Sequence, residues 1–572
     1  YLEDPAGPTA PHALYLEGML YQDLHKSLKF DSDQRAAREN FEKVVKEFAE
    51  SPFAAKAAQE LKAMRPVRPP AEKVVRRPAP PPMASFPSEP PAPSALAPAE
   101  TAIEPVKLAE GEDGLAVVQD LRHWSNPNYT RVVVYVDRDF RLTYRQFGDL
   151  VDRLARGLMA MGIRKGEKVA VWATNVPYWV ALQFATAKIG AILLTVNINY
   201  RINELAYVLE QSESENLFLI DGYQDIDYLQ TIYELVPELR AQERGQLASA
   251  RFPHLKRVFF LGLEKHRGMY SIPEVLAMSS MTGEGDYRAR QADLDPHDVV
   301  NMQYTSGTTG FPKGVMLTHF NIGNNGYWIG ANQHFGPKDR VCLPVPLFHC
   351  FGCVLGVLAA VNHGATLVIL EGFDPVAAMT AVEQERCTAL YGVPTMFIAI
   401  LDHKLFSKFR FDSLRTGIMA GSPCPVAVMR QVIEKMFMQE VTICYGLTEN
   451  SPVITQTLIG DDIRRQTETV GRAMPGIEVK VVDPKTGGAQ PPGVQGEVCC
   501  RGYSLMKGYY KMPEATAKAI DADGWLRTGD LGVMDSDGYL AITGRLKDMI
   551  IRGGENIYPR EIEEYLFKLE GS

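Results

Sequence analysis

Among its 572 residues the sequence has no uninterrupted apolar run long enough to span a bilayer. The best candidate, CVLGVLAAVNHGATLVIL (353–370), is broken by Asn362, His363 and Gly364, and it predicts a buried helix, a turn and a strand. A surplus of positive charge is also missing. Lys and Arg number 60 against 69 Asp and Glu, a net charge of -9, so no general attraction to nucleic acid is expected. Cysteine is absent before Cys342, and all eight lie between Cys342 and Cys500, unevenly spaced in apolar surroundings. That argues against a disulfide framework and for a reducing, cytoplasmic setting. HCFGC (349–353) contains a CxxC but has no second ligand pair, so buried thiols are expected there rather than a metal or redox site. DSDG (535–538) lacks the later acidic positions of a calcium loop and predicts a turn. The first residue is Tyr1 rather than methionine, which leaves open what preceded it.

What is present is ordinary for a protein with ample core: 46% hydrophobic and 23% charged residues. Residues 1–64 predict helices. Phe41, Val44, Val45 and Phe48 mark one face, and Ala54, Ala57, Ala58 and Leu61 mark a second helix introduced by Ser51-Pro52. This segment resembles a tetratricopeptide-type repeat, with large residues on one helix and alanines on its partner. A plain helical hairpin remains the other reading, since such arrays usually need about three repeats. A protein partner for these helices is one expectation. Residues 65–109 are rich in proline and alanine with basic residues at the front, which predicts an extended tether. Spacing is its expected job, with peripheral contact to anionic lipid at most.

From about residue 110 the pattern becomes α/β. VVVYVDRDFRLTY (132–144) predicts two strands around a turn. Phe147, Leu150, Val151, Leu154, Leu158 and Met161 form a helical stripe stopping at Gly162. KVAVWA (168–173), AILLTV (191–196), LFLID (217–221) and RVFFLG (257–262) predict strands, with a helix over 177–190. LGVMDSDGYLAITGR (531–545) predicts a hairpin around Asp537-Gly538. Strand–helix–strand units with short connections imply sheets covered by helices.

The stretch richest in chemistry is YTSGTTGFPKG (304–314). A P-loop, GxxxxGK[ST], would need glycine at 312 and a hydroxyl at 314, where this chain has Pro312 and Gly314. The stretch still suits phosphate. It follows the strand-like VVNMQY (299–304), and α/β folds bind ligands at the carboxyl ends of strands. Gly307, Gly310 and Gly314 let the backbone aim N–H groups at an anion. Thr305, Ser306, Thr308 and Thr309 add hydroxyls, and Lys313 adds a mobile cation.

This loop resembles the signature of the AMP-forming acyl-activating enzymes. PLFHCFG (346–352), YGVPTMF (391–397), GIMAGSPCP (417–425), CYGLTENSPV (444–453), GWLRTGDLG (524–532) and GRLKDMIIRGGENIYPREIEE (544–564) follow in the family's order. The likeness covers about 110 to 572. It implies a large multi-sheet adenylating domain over 110–546 and the hinge and start of a small C-terminal domain over 547–572. It also implies ATP, Mg²⁺ and CoA as reactants or cofactors.

Joining a carboxylate to ATP brings two anions together, so the site must neutralise charge and stabilise a crowded α-phosphorus as pyrophosphate leaves. By this resemblance the hydroxyl–glycine loop, Thr305 to Gly310 with Lys313, holds the β- and γ-phosphates. Thr448 donates to the α-phosphate, and Glu449 supplies the hard oxygen that Mg²⁺ prefers. Asp530 accepts from both ribose hydroxyls and Arg545 contacts the ribose. Tyr445, Gly446 and the turn Gly421-Ser422-Pro423 wall the adenine. His349 sits beside the acyl carboxylate, Lys547 is the hinge, and Arg552, Gly553 and Gly554 line a CoA channel. The family's catalytic lysine belongs further along the small domain. Nothing up to Ser572 matches it, Lys568 being too close to the hinge, so this chain alone is expected to bind nucleotide but to activate acid slowly.

The span from Arg527 to Leu566 resembles bacterial medium- and long-chain fatty acyl-CoA synthetases. The acyl tunnel is expected behind Tyr391–Phe397 and Gly417–Ser422, with no acidic partner for an amino-acid ammonium. An aryl-CoA ligase, or a non-catalytic scaffold that binds nucleotide or acyl-adenylate, are the alternatives.

Overall fold

A computed structural model describes residues 140–305 and 311–546 continuously, together with 38, 41–46, 49, 52–64, 133–135, 550–552 and 555–557. The chain divides into two units, Tyr1–Ala109 and Glu110–Ser572. In the first, a helix spans Pro52–Ala63 and opens on the proline whose missing N–H costs nothing in a first turn. Phe41, Val44, Ala54 and Ala57 are buried, as the two-face spacing predicts. Phe48, Ser51 and the expected tether over 65–109 lie outside the described residues.

The second unit begins with the strands Val133–Tyr135 and Phe140–Leu142, which pair antiparallel as expected. The helix Tyr144–Ala160 follows. Thr143 and Gln146 cap it reciprocally, and Phe147, Leu150, Val151, Leu154 and Leu158 are its buried stripe. Gly162, at φ +83°, ends it in a conformation that favours glycine.

Three sheets organise the rest. One has eight strands, in the spatial order Gly508–Tyr509, Lys313–Thr318, Val299–Thr305, Ile192–Thr195, Lys168–Trp172, Asn216–Leu219, Arg257–Phe260 and Met269–Ser271. It is parallel from Val299–Thr305 onward and antiparallel at its opposite edge. The buried, β-branched character of Lys168–Trp172 is what a central parallel strand requires. A nine-stranded sheet places Glu440–Gly446 between Thr416–Met419, its parallel neighbour, and Val453–Gln456, its antiparallel one. A four-stranded antiparallel sheet carries Ile477–Val482, Gly496–Gly502, Leu526–Met534 and Leu540–Arg545. Its last two strands form the hairpin expected from DSDG, with Gly538 at φ +82° in the turn.

The broken apolar run resolves as helix, turn and strand. Phe351–Leu358 is wound as a π-helix that continues into Ala359–Asn362, Gly364 turns the chain at φ +69°, and Thr366–Ile369 is a buried strand. Among the described residues, no helix is long and apolar enough to cross a membrane.

Candidate active site

A cleft of about 820 Å³ gathers Thr305, Lys313, His349, Gly421, Tyr445, Gly446, Thr448, Glu449, Asp530 and Arg545 into one lining. These ten span more than two hundred positions of sequence and come from all three sheets and their connections. Nine were expected on the nucleotide or its Mg²⁺, and His349 beside the acyl carboxylate. A separate cavity of about 460 Å³, lined by Asp152, Gln183 and His319 among others, contains none of them.

The phosphate side is built by a hairpin. Val299–Thr305 and Lys313–Thr318 pair antiparallel, with Thr305 opposite Lys313 and Tyr304 opposite Gly314. The pairing puts the first hydroxyl and the lysine at the two roots of the same loop. Tyr207 supports the returning root: its hydroxyl donates to the Pro312 carbonyl at 2.9 Å, and its ring stacks on Phe311. The remainder of the loop, Ser306, Gly307, Thr308, Thr309 and Gly310, lies outside the described residues.

Glu449 follows the strand Glu440–Gly446, in a short turn Thr448–Asn450. Its Oε1 accepts from the Tyr509 hydroxyl at 2.8 Å. The Lys313 ammonium lies over the face of the same tyrosine, 4.8 Å from the ring centre. Burial, and then the Glu449 carboxylate, push the Tyr509 pKa up, so the phenol keeps its proton and donates it. Among the described residues no group of three or more His, Cys, Asp or Glu could cage a metal ion. A single carboxylate facing a phosphate site fits Mg²⁺, which keeps waters and shares substrate phosphates rather than needing an all-protein cage.

The part of the cleft around Asp530, where the ribose was expected, is held by several hydrogen bonds. Asp530 is 6% exposed. Its Oδ1 accepts from Arg545 Nε at 2.9 Å and its Oδ2 from the Tyr445 hydroxyl at 2.9 Å. Strand register brings Asp530 directly opposite Arg545. Burial and the neighbouring Asp530 charge push the Tyr445 pKa up, keeping that phenol a donor too. Beneath the Thr528-Gly529-Asp530 turn, buried Glu497 accepts from Arg527 Nη2 at 2.6 Å and from the Gly529 N–H at 3.2 Å. A carboxylate with two acceptor oxygens is the group that suits a vicinal diol.

At the acyl end, the His349 ring opens onto the cleft although its surroundings are deep in the fold. The Phe351 N–H donates to its Nδ1 at 3.1 Å, which fixes the neutral Nε2–H tautomer. The Cys350 sulfur, 3.6 Å from Nδ1, acts the other way and raises the His349 pKa. The N–H donation is the shorter and more directional contact, and it decides the tautomer. Thr448 is 7% exposed, with its hydroxyl 3.7 Å from the Cys350 sulfur.

Several expected residues are placed differently. Ser422 and Pro423 are exposed and do not line the cleft, so the turn contributes only Gly421 and its neighbour Ala420. Tyr391 and Phe397 are fully buried, and Phe397 belongs to a packed core with Met419, Ile400 and Val432. The Tyr391 hydroxyl is spent on Gln333. The apolar wall of the cleft comes from Phe351, Leu355, Ala420 and Val453. Lys547, Gly553 and Gly554 lie outside the described residues, as does the side chain of Arg552. The sequence reading missed Tyr509, Glu497, Thr528 and Cys350. Glu497 carries no motif of its own, Cys350 lies within PLFHCFG but had no role assigned there, and Tyr509 looks like one of three ordinary aromatic or small residues in GYY.

Comparison with known proteins gives the family. Residues 121–510 match the family described as AMP-binding enzyme. A Bacillus subtilis protein named putative acyl-CoA synthetase YngI is 55% identical over 436 residues, covering 76% of this chain and 79% of that one. The Bos taurus mitochondrial medium-chain acyl-CoA ligase ACSF2 is 40% identical over 446 residues, covering 77% and 72%. ATP-bound MatB from Rhodopseudomonas palustris superposes with a TM-score of 0.67 at 26% identity, covering 79% and 83%. A Mycobacterium tuberculosis fatty acyl CoA synthetase gives 0.64 at 29%, covering 79% and 82%. On the match that runs through more than half its length and the relatives that share it, this chain belongs to the AMP-binding enzyme family.

Proposed function

We propose that this protein is an acyl-CoA ligase that activates a medium- or long-chain fatty acid with ATP and passes the acyl group to CoA. The observation that carries the reading is the convergence of Lys313, Glu449, Thr448 and Asp530 on one cleft. Its chemistry has two steps. The fatty carboxylate attacks the α-phosphorus, the bond to the β-phosphate bridging oxygen breaks, and pyrophosphate leaves. The CoA sulfur then attacks the acyl carbon, its proton passes to solvent, and AMP leaves.

The residues divide that work. Asp530, steadied by Tyr445 and Arg545, takes the ribose hydroxyls and so fixes the α-phosphate relative to the acid. Thr305 and Lys313 neutralise the outer phosphates. Thr448 donates to the α-phosphate oxygen where charge builds up. The Nε2–H of His349 orients the incoming carboxylate. Glu449 would hold Mg²⁺, which supplies charge neutralisation between the phosphates. Phe351, Leu355 and Val453 give the acyl end an apolar wall without a buried charge, which favours a hydrocarbon over an amino acid. The relatives named as medium-chain and fatty acyl-CoA enzymes support the same substrate class. Eight free thiols, seven of them buried, suit a reducing compartment, and we place the protein in the cytoplasm.

An adenylate-trapping assay with hexanoate, decanoate, palmitate and benzoate tests this. Trapped product from decanoate or palmitate above that from benzoate is expected. A preference for benzoate would defeat the fatty-acid assignment, and a calorimetric titration showing no heat with ATP would defeat the nucleotide site itself.

A further inference from the structure

The cleft holds a cation and an anion that ought to find each other. Lys313 and Glu449 approach the same tyrosine from different sides, yet Lys313 forms no ion pair among the described residues. An ammonium and a carboxylate that share one neighbour in a partly buried site attract strongly once they come together. Such a pair would have to be broken before the lysine could meet phosphate or the carboxylate could meet a cation.

Tyr509 is the side chain that both of them contact. One ring face takes the Lys313 ammonium at 4.8 Å, and the hydroxyl, at the ring's far end, donates to Glu449 Oε1 at 2.8 Å. Its position is set by backbone on both sides. Tyr509 faces Val315 in the antiparallel edge of the eight-stranded sheet. The Tyr510 N–H donates to the Gly314 carbonyl at 2.8 Å and the Lys507 N–H to the Met316 carbonyl at 2.9 Å. The Tyr509 N–H itself is tied to Thr516 Oγ1 at 2.9 Å, and the Met506 N–H reaches the Glu449 carbonyl at 2.8 Å. The ring is thus clamped to the strand that carries Lys313 and to the turn that carries Glu449. Two properties of phenol matter here. Its face holds an ammonium more weakly than phosphate does, so the lysine can leave for the nucleotide. Its single donated hydrogen bond occupies one carboxylate oxygen and leaves the other to a cation.

We propose that Tyr509 is a positioning residue that insulates Lys313 from Glu449, parking the lysine and orienting the carboxylate so that both charges are available when magnesium nucleotide arrives. The inference rests on the nucleotide reading of the cleft given above.

Calorimetric titration of ATP into the full chain, once in EDTA and once across a MgCl₂ series, separates the two contacts. Y509F keeps the ring and loses the hydroxyl. It is expected to bind ATP in EDTA like the parent, but to need three- to tenfold more MgCl₂ for half of the magnesium-dependent tightening. Y509A removes the barrier, and its affinity in EDTA is expected to fall about tenfold as Lys313 collapses onto Glu449. Adding E449Q to Y509A removes the trap and is expected to restore the EDTA affinity, a recovery that a merely structural role of the ring would not produce. The proposal is overturned if Y509F shows the parent's MgCl₂ dependence, or if the double variant binds no better than Y509A. A parent chain that gives no heat with ATP would sink the nucleotide reading and this inference with it. Parental binding with unmoved variants would sink this inference alone.

Discussion

Asp530 takes two donors at once. Arg545 and Tyr445 each donate to a different oxygen of its carboxylate and hold it in one orientation. Asparagine has nearly the same shape but only one acceptor, and its amide would present N–H to a neighbour that is itself a donor. Asp530→Asn is therefore expected to raise the ATP dissociation constant roughly 10- to 100-fold, the usual worth of hydrogen bonds to a charged group. Calorimetry checks it, and an unchanged affinity would remove Asp530 from the ribose site. The Arg545 side chain is 66% exposed, so its ion pair with Asp530 is read as orienting rather than stabilising. At this scale the sequence told a good deal. Thr448, Glu449 and Asp530 are chemically unusual in their settings, and motif order alone marks them. Tyr509 and Glu497 escaped because a tyrosine after glycine and a glutamate in a strand are unremarkable until strands pair across distant positions.

Among the elements, the turn after Glu440–Gly446 decides where two of the site's groups point. The strand ends at an irregular register between Tyr445 and Gly446. A Cβ on Gly446 would sit 1.9 Å from the Pro452 carbonyl oxygen and 2.9 Å from the Ile454 nitrogen, both backbone atoms that cannot step aside. Gly446→Ala should then push the Thr448–Asn450 turn out of place. We expect a loss of about 1–3 kcal/mol in stability, as for other overpacked sites, together with weakened ATP binding. Thermal unfolding and calorimetry on one sample test both, and an unmoved melting temperature would show that the approach is not close. The hairpin of Val299–Thr305 and Lys313–Thr318 shows the limit of reading elements from sequence. The strand Val299–Thr305 was legible. That the chain returns as a second antiparallel strand of the same sheet was not, because KGVMLT has the composition of many short strands and only the register reveals its partner.

For the molecule as a whole, the ionisation of buried groups sets how stability responds to pH. His319, partly covered at the start of the helix His319–Asn332, has its pKa lowered by burial to about 4, and its Nε2 has no hydrogen-bond partner among the described residues. A base whose folded pKa lies below its unfolded value binds fewer protons in the native state. Stability is therefore expected to fall as pH drops from about 6.5 to about 4, by up to roughly 3 kcal/mol from this residue. His319→Gln should flatten that part of the denaturation curve, and an unchanged slope between pH 6.5 and 4 would refute the assignment.

Alternating strands and helices, the glycine–hydroxyl loop and the ordered motifs were determined by the sequence alone, because hydrophobic period and turn chemistry are local properties. Tertiary structure decided which side chains share the cleft. It brought Tyr509 into contact with both Lys313 and Glu449, set Asp530 opposite Arg545, and packed Phe397 into the core where a tunnel was expected. Those outcomes depend on register and on close packing between segments far apart in the chain, and neither leaves a mark on local spacing.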